Sequence, residues 1–235
     1  MATNLDKWYE KAFDKDYLIR YSHRNEKQAL SEIKWIEENI PLQKSWVILD
    51  ACCGQGRHLR SWEERDYFPI GFDLSADLLA QTSSPVFRAD QRYWPVKDRC
   101  IDLITVMFTS IGYFVDDTDN VLIFDEISRC LRPEGYFVID TIDPHYLKKN
   151  IVPCTDKTLP TGRLVENRRF VDKRVVKEVN WHSKAGVKEY QESLRLFELE
   201  EYEKICEERN LKIEKTFTGF SDNAQGRLIL IGRKK

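Results

Sequence analysis

The sequence predicts an α/β fold, a largely parallel sheet covered on both faces by helices and carrying an antiparallel insertion. Two observations predict it. Short continuous apolar runs alternate with helical stretches between residues 46 and 139, the pattern of strands buried on both faces. From residue 163 to 197 the pattern becomes polar–apolar alternation with a period near two, which antiparallel strands show.

The elements follow in order. The first forty residues read as helix: Leu30, Ile33, Trp35, Ile36 and Ile40 mostly keep helical spacing, and Pro41 ends the run. Apolar runs at 46–49, 69–72, 86–87, 101–108 and 136–139 read as strands. Helical stretches at 57–65, 74–81 and 120–131 separate them, and Arg132-Pro133-Glu134-Gly135 is a stop between helix and strand. The alternating segment 163–197 breaks at Asp172-Lys173 and near Ser183 to Gly186, which gives three strands. Residues 198–210 then form a helix, and 211–218 and 227–231 two closing strands.

Composition narrows the function classes. The 235 residues suit one domain spanning 1–235, and 42% hydrophobic with 32% charged residues is a globular balance. Lysine plus arginine number 37 against 39 acids, for a net charge of −2. No basic excess marks a nucleic-acid partner, so none is expected. No apolar run approaches the roughly 20 residues that span a bilayer, so no membrane role is expected either. The six cysteines form no CxxC pair and the N-terminus shows no apolar signal core, so a reduced, cytoplasmic protein is expected, as monomer or homodimer.

The chemistry-bearing segment is Val47-Ile48-Leu49-Asp50-Ala51-Cys52-Cys53-Gly54-Gln55-Gly56-Arg57. An apolar strand ends in an acid, a loop with two glycines follows, and a helix begins; ligands dock at the first such turn of open α/β sheets. A Gly-x-Gly loop alone is common. A dinucleotide fingerprint would place a third small residue where Leu59 stands, and the acid at the strand end is no part of it.

The segment resembles the first motif of the class I S-adenosylmethionine (SAM)-dependent methyltransferases, an apolar strand, Asp or Glu, then x-Gly-x-Gly-x-Gly. Asp50, Gly54 and Gly56 match, and Cys52 replaces the first glycine, which implies a close turn that does not demand glycine. Further landmarks come in the family's order. Ile70-Gly71-Phe72-Asp73-Leu74-Ser75 ends a second strand in an acid seventeen residues after Gly56. The resemblance makes Asp73 the acceptor of both ribose hydroxyls, with Leu74 beside it; Ser75 suits a helix cap. In Phe87-Arg88-Ala89-Asp90-Gln91 the resemblance gives Asp90 the adenine amino group, with Gln91 adjoining. In Asp102 to Tyr113 it sets Met107 and Phe108 against the methionine portion, and Leu131-Arg132-Pro133-Glu134-Gly135-Tyr136-Phe137 matches "L-[KR]-P-x-G-x-F".

The resemblance implies a Rossmann-like, doubly wound, seven-stranded sheet of order 3-2-1-4-5-7-6 with strand 7 antiparallel. It implies SAM as cofactor and a small-molecule acceptor. A protein or RNA methyltransferase, or a catalytically silent SAM-binding partner subunit, is the alternative. Residues 1–41 are expected as an N-terminal helical lid, or else as a helix packed by its aromatic face; they hold Trp8, Tyr9, Phe13, Tyr17, Tyr21 and Arg24, the last two set against the SAM carboxylate. The 163–197 insertion is expected over the carboxyl edge of the sheet, lining the acceptor pocket. No Ser/His/Asp set or metal-ligand cluster stands out, so positioning is expected to supply most of the catalysis. Tyr113 and His145 are the first candidate bases and Tyr146 and His182 the next, all near the carboxyl edge or on the insertion, while His58 is read as structural.

Overall fold

The computed structural model describes residues 7–13, 17, 25–184 and 186–235. Seven strands make the main sheet: β1 (Val47–Ala51), β2 (Phe68–Asp73), β3 (Val86–Arg88), β4 (Ile101–Val106), β5 (Leu131–Ile142), β10 (Leu211–Phe217) and β11 (Arg227–Lys234). Their order is β10-β11-β5-β4-β1-β2-β3, with β11 antiparallel to both neighbours and the other pairs parallel. This is the expected 3-2-1-4-5-7-6 arrangement.

Continuous apolar runs form the central strands because both faces are covered. Leu49, Ile104 and Phe137 pack against α5 (Asp117–Cys130) and α7 (Leu199–Glu207), while Ile48, Leu103 and Val138 pack against α2 (Glu26–Asn39) and α3 (Arg57–Glu63). Each helix start is chemically marked. The Asn25 side chain accepts from Gln28 N, Asp116 from Thr118 N, and Ser75, before α4 (Ala76–Leu79), from Leu78 N. Glu198 and Glu201 form a reciprocal capping box on α7. Among the described residues no helix is long and apolar enough to cross a membrane.

Two sequence expectations change. The first forty residues are not one helix. A short α1 (Trp8–Ala12) ends at Phe13, whose φ of −96° and ψ of 58° leave the helical region, and α2 starts afresh at its own cap. Tyr21 and Arg24 lie outside the described residues. The 163–197 segment forms the three expected strands, β7 (Gly162–Val171), β8 (Arg174–Ser183) and β9 (Gly186–Arg195), but the small sheet also takes a fourth, unexpected strand before them, β6 (Cys154–Leu159), in sequential antiparallel order. Cys154-Thr-Asp-Lys-Thr-Leu159 escaped the alternation signal because it is an edge strand whose residues are mostly exposed. Helix α6 (Pro144–Asn150) leads from β5 toward it.

The insertion is fastened to the carboxyl edge of the main sheet. Gly112, in the loop after β4, accepts from Arg195 N at 2.8 Å and Arg174 Nη2 at 3.0 Å. The buried Arg195 guanidinium bridges Asp117 and Glu201, so β9 is tied to the starts of α5 and α7. The opposite end of the small sheet packs Leu164, Val179, Trp181 and Tyr190 against Trp8 and Ala12 of α1.

Candidate active site

The loops at the carboxyl ends of β1, β2, β3 and β4 enclose a cavity of about 570 Å³. Asp50, Cys52, Gly54, Asp73, Leu74, Asp90, Gln91, Met107, Phe108 and Tyr113 all lie on its wall, so ten of the sequence-predicted residues converge there. Gly56 lies behind the wall as the N-cap of α3.

The glycine loop is held by the acid one strand away. Asp73 Oδ2 accepts from Gly54 N at 2.9 Å, and Oδ1 from Ser75 N at 2.8 Å. Burial pushes the Asp73 carboxyl above its ordinary range against these bonds. Cys52 has φ 59°, Gly54 57° and Gly56 76°. The turn therefore does take the left-handed conformation at position 52, contrary to the expectation of an undemanding turn. A cysteine holds it at a cost of about 1–2 kcal/mol.

Asp50 is 1% exposed. Its Oδ1 accepts from Thr105 Oγ1 at 2.7 Å, and its Oδ2 has no hydrogen-bond partner. Burial raises its pKa, opposed by the charge of His58, the Thr105 hydroxyl and Arg57. Arg57, on the same wall, leaves Nη1 buried and unpartnered while Nη2 lies 3.8 Å from Glu32 Oε2. Two residues of the cavity wall thus carry buried atoms of opposite charge, Asp50 Oδ2 and Arg57 Nη1, with no protein partner, and such atoms are costly unless something pairs them.

Asp90 is already engaged. Arg92 grips it through Nε at 3.0 Å and Nη2 at 2.8 Å, reaches Asp119 at 2.7 Å and lies 4.4 Å over the Phe114 ring. Burial raises the Asp90 carboxyl, but the Arg92 bonds outweigh it and the net shift is downward. Free lone pairs remain, since a carboxylate offers about four.

At the end of β4 two adjacent side-chain-bearing residues, Phe108 (φ 61°) and Thr109 (φ 63°), take the left-handed conformation. Asp140 holds both: its Oδ2 accepts from Phe108 N at 2.9 Å and its carbonyl from Thr109 N at 2.8 Å. Arg227 pairs with Asp140 at 2.6 Å. The Phe108 ring lies 5.5 Å from the Arg57 guanidinium and 5.2 Å from that of Arg227. Sequence reasoning missed Arg92, Asp140 and Arg227. Only the Asp-x-Arg spacing of 90 and 92 was there to be read.

The open side carries aromatic rings. Tyr9, Phe13 and Tyr17 line it with Glu10, and Tyr113 stacks with Tyr9 at 6.3 Å and Phe13 at 5.8 Å. Trp8 Nε1 donates to Tyr113 O, and Ser75 Oγ donates to Phe13 O at 2.7 Å, which ties α1 to the strand bearing Asp73. Of the expected lid, then, the α1 end lines the cavity, whereas α2 packs behind the sheet.

The structure does not bring the remaining candidate bases in. His145 is exposed, with Nε2 3.0 Å from Glu198, because the Asp143 cap receives the His145 and Tyr146 amides and turns α6 away from the cavity. Tyr146 packs where a Gly226 side chain would be, and His182 is exposed on β8. His58 is buried with Nε2 2.7 Å from Glu32. No described residue of the insertion lies on the cavity wall either. The small sheet stands at the expected edge but backs α1 and Tyr113 rather than lining the pocket, because α1 occupies the space between.

Residues 48–135 match a family model described as a methyltransferase domain. The chain is 29% identical over 115 residues to YqeM of Bacillus subtilis (strain 168), covering 46% of each. It is 27% identical over 115 residues to the dTDP-3-amino-3,6-dideoxy-alpha-D-glucopyranose N,N-dimethyltransferase of Streptomyces fradiae, covering 47% of this chain and 44% of that one. These matches span about half the length of either relative. Among solved structures, a SAM-dependent methyltransferase from Clostridium acetobutylicum ATCC 824 superposes with a TM-score of 0.76 at 19% identity, over 97% of this chain and 99% of that one. SAM-bound CalS10, an amino pentose methyltransferase from Micromonospora echinaspora, gives 0.72 at 19% identity over 98% of both. The matched residues 48–135 contain the glycine loop, Asp73, Asp90 and the end of β4, so this stretch is similar to a methyltransferase domain, and the whole chain shares the fold of SAM-dependent methyltransferases of known structure.

Proposed function

We propose that the chain transfers the methyl group of SAM to a small-molecule acceptor, mainly by holding the two in line. The observation that carries this reading is the cavity wall itself, which sets an acid at the end of β2 beside two buried, unpartnered atoms of opposite charge. The amino-acid end of SAM is a zwitterion, and Asp50 Oδ2 and Arg57 Nη1 complement its ammonium and carboxylate. Asp73 retains lone pairs for the ribose hydroxyls, and Asp90 with Gln91 faces the adenine. Cys52, Gly54, Met107 and Phe108 close around the remainder.

SAM, when bound, supplies an electrophilic methyl on a sulfonium leaving group. The chain's own work is then to orient an acceptor lone pair and exclude water, and such positioning is worth roughly 7–11 kcal/mol. Tyr9, Phe13, Tyr17 and Tyr113 offer an aromatic surface for the acceptor, and the Tyr113 hydroxyl takes over the base role to which His145 is ill placed. An aromatic-walled cavity and a net charge of −2 favour a small molecule over a protein or RNA. Because the Streptomyces fradiae relative is named for N-methylation of a dTDP-amino sugar, amino sugars and their nucleotides are the first acceptors to screen. Calorimetric titration with SAM, followed by a labelled-methyl screen over metabolite extracts, tests the proposal. No binding of SAM would refute it.

A further inference from the structure

The helix behind the sheet touches two residues of the cavity wall, Arg57 and His58, through one side chain. Glu32, on α2, is 4% exposed in a face otherwise made of Ala29, Ile33 and Ile36. Its Oε2 lies 2.7 Å from His58 Nε2 and 3.8 Å from Arg57 Nη2, and its Oε1 accepts from Gln28 Nε2 at 2.9 Å. Burial pushes the Glu32 carboxyl up, but the His58 bond and charge and the Arg57 charge outweigh it and hold it below its ordinary range. A carboxylate placed in an apolar helix face is expensive unless it compensates nearby charge. Here the charge lies next to the cavity, on the first turn of α3.

We propose that Glu32 is a positioning residue for the amino-acid end of SAM, acting through Arg57 and His58. The inference rests on the SAM reading above. Glu32 draws one edge of the Arg57 guanidinium, so the other, Nη1, is left for a ligand carboxylate. It also fixes His58, whose charge opposes the effect of burial on Asp50, the group that faces the ligand ammonium. Remove the Glu32 charge and Arg57 loses the anion that orients it, while Asp50 loses a fixed neighbour. The adenosine side, held by Asp73 and Asp90, shares none of these contacts.

That separation gives the test. Glu32→Gln and wild type are titrated by calorimetry with SAM, with S-adenosylhomocysteine, and with 5′-methylthioadenosine, which lacks the amino-acid end. Hydrogen bonds to charged groups support a loss of roughly 10- to 150-fold, and an indirect role puts the expected weakening for the first two ligands near the lower end, about 10-fold. Methylthioadenosine should bind within about 2-fold of wild type on the same reasoning. Should Glu32→Gln fail to fold, Glu32→Asp keeps the charge but retracts it by one methylene, and should show the same selectivity with a smaller loss. Equal weakening of all three ligands would mean a merely structural role, and unchanged SAM affinity would mean none; either overturns the inference. If wild type binds none of the three, the SAM reading itself falls, and the inference with it.

Discussion

Gly112 is where the loop after β4 meets the insertion, and Gly112→Ala should be among the most damaging single-methyl additions in the chain. The residue has φ +100°, and a Cβ built there falls 2.4 Å from the Arg195 carbonyl oxygen and 3.2 Å from its carbonyl carbon and amide nitrogen. The end of β9 must retreat by about 1 Å to restore ordinary contact. Retreat breaks the two bonds Gly112 O receives from Arg195 N and Arg174 Nη2. The left-handed backbone costs about 1–2 kcal/mol with a side chain, and two lost hydrogen bonds about 0.5–1.5 kcal/mol each. The sum is about 2–5 kcal/mol, or roughly 4–20 °C in Tm for a chain of this size. Gly186→Ala is the control: φ is +127°, yet nothing lies within 4 Å of its Cβ, so only the backbone strain applies. Urea and thermal unfolding of both variants decide the matter. If Gly112→Ala loses no more stability than Gly186→Ala, the close approach of β9 is wrong.

Asp73→Ala removes the proposed ribose acceptor and frees the Gly54 and Ser75 amides, so SAM affinity should fall by roughly 10- to 150-fold in calorimetry; an unchanged Kd would remove Asp73 from the site. Cys52→Gly should relieve backbone strain of about 1 kcal/mol and raise Tm by roughly 2–4 °C, whereas a lower Tm would show that packing of the thiol outweighs strain. Glu201 is lowered to about 2; burial opposes the shift, and its bonds to Arg195, the Glu198 amide and Lys173 outweigh it. A depressed carboxyl stabilises above its unfolded pKa and loses that contribution as pH falls from near 4.5 to near 2. With its side chain 28% exposed, about 1–2 kcal/mol should vanish over that window in wild type but not in Glu201→Gln, read by urea unfolding at each pH. Once an acceptor is found, His145→Ala should leave turnover within about 2-fold, while any loss in Tyr113→Phe should stay within the roughly 10²- to 10⁴-fold of general-base assistance.

What the sequence made legible was set by local pattern. Continuous apolar runs marked the central strands because burial on both faces leaves no alternation, and the strand-ending acids Asp50 and Asp73 stood out against them. What stayed hidden depends on partners distant in sequence. Asp140 sits inside the apolar strand β5 and reads as an interruption until its bonds to Phe108 and Arg227 are seen. Glu32 reads as the polar side of an amphipathic helix, yet it is buried because His58 and Arg57 come to meet it. Strand β6 is polar and exposed, so neither period marked it. The position of His145 after strand five points to the pocket, and one helix cap is enough to turn it toward Glu198.

The division of the site between two parts of the chain bears on which acceptor it takes. Apart from Glu32 and the Asp140–Arg227 pair, the groups proposed above to hold SAM fall within residues 48–135, the stretch that matches the methyltransferase model. The aromatic side is different: Tyr9, Glu10, Phe13 and Tyr17 come from the N-terminal segment, outside that stretch, and only Tyr113 and Phe114 come from within it. Helix α1 buries Trp8 and Ala12 on the insertion, and Lys188 of β9 donates to Lys11 O, so these rings are carried by the small sheet. Ser75 Oγ donates to Phe13 O, which connects them to the strand bearing Asp73, and Trp8 Nε1 donates to Tyr113 O within the aromatic side. On the proposed assignment of the two sides, acceptor preference should change through α1 and the face of β7, β8 and β9 beneath it while Asp73, Asp50 and Arg57 stay in place. Altering Leu164 or Trp181, which support α1 without lining the cavity, should accordingly disturb acceptor binding more than SAM binding. Equal loss of both in paired titrations would show that the two sides are one mechanical unit.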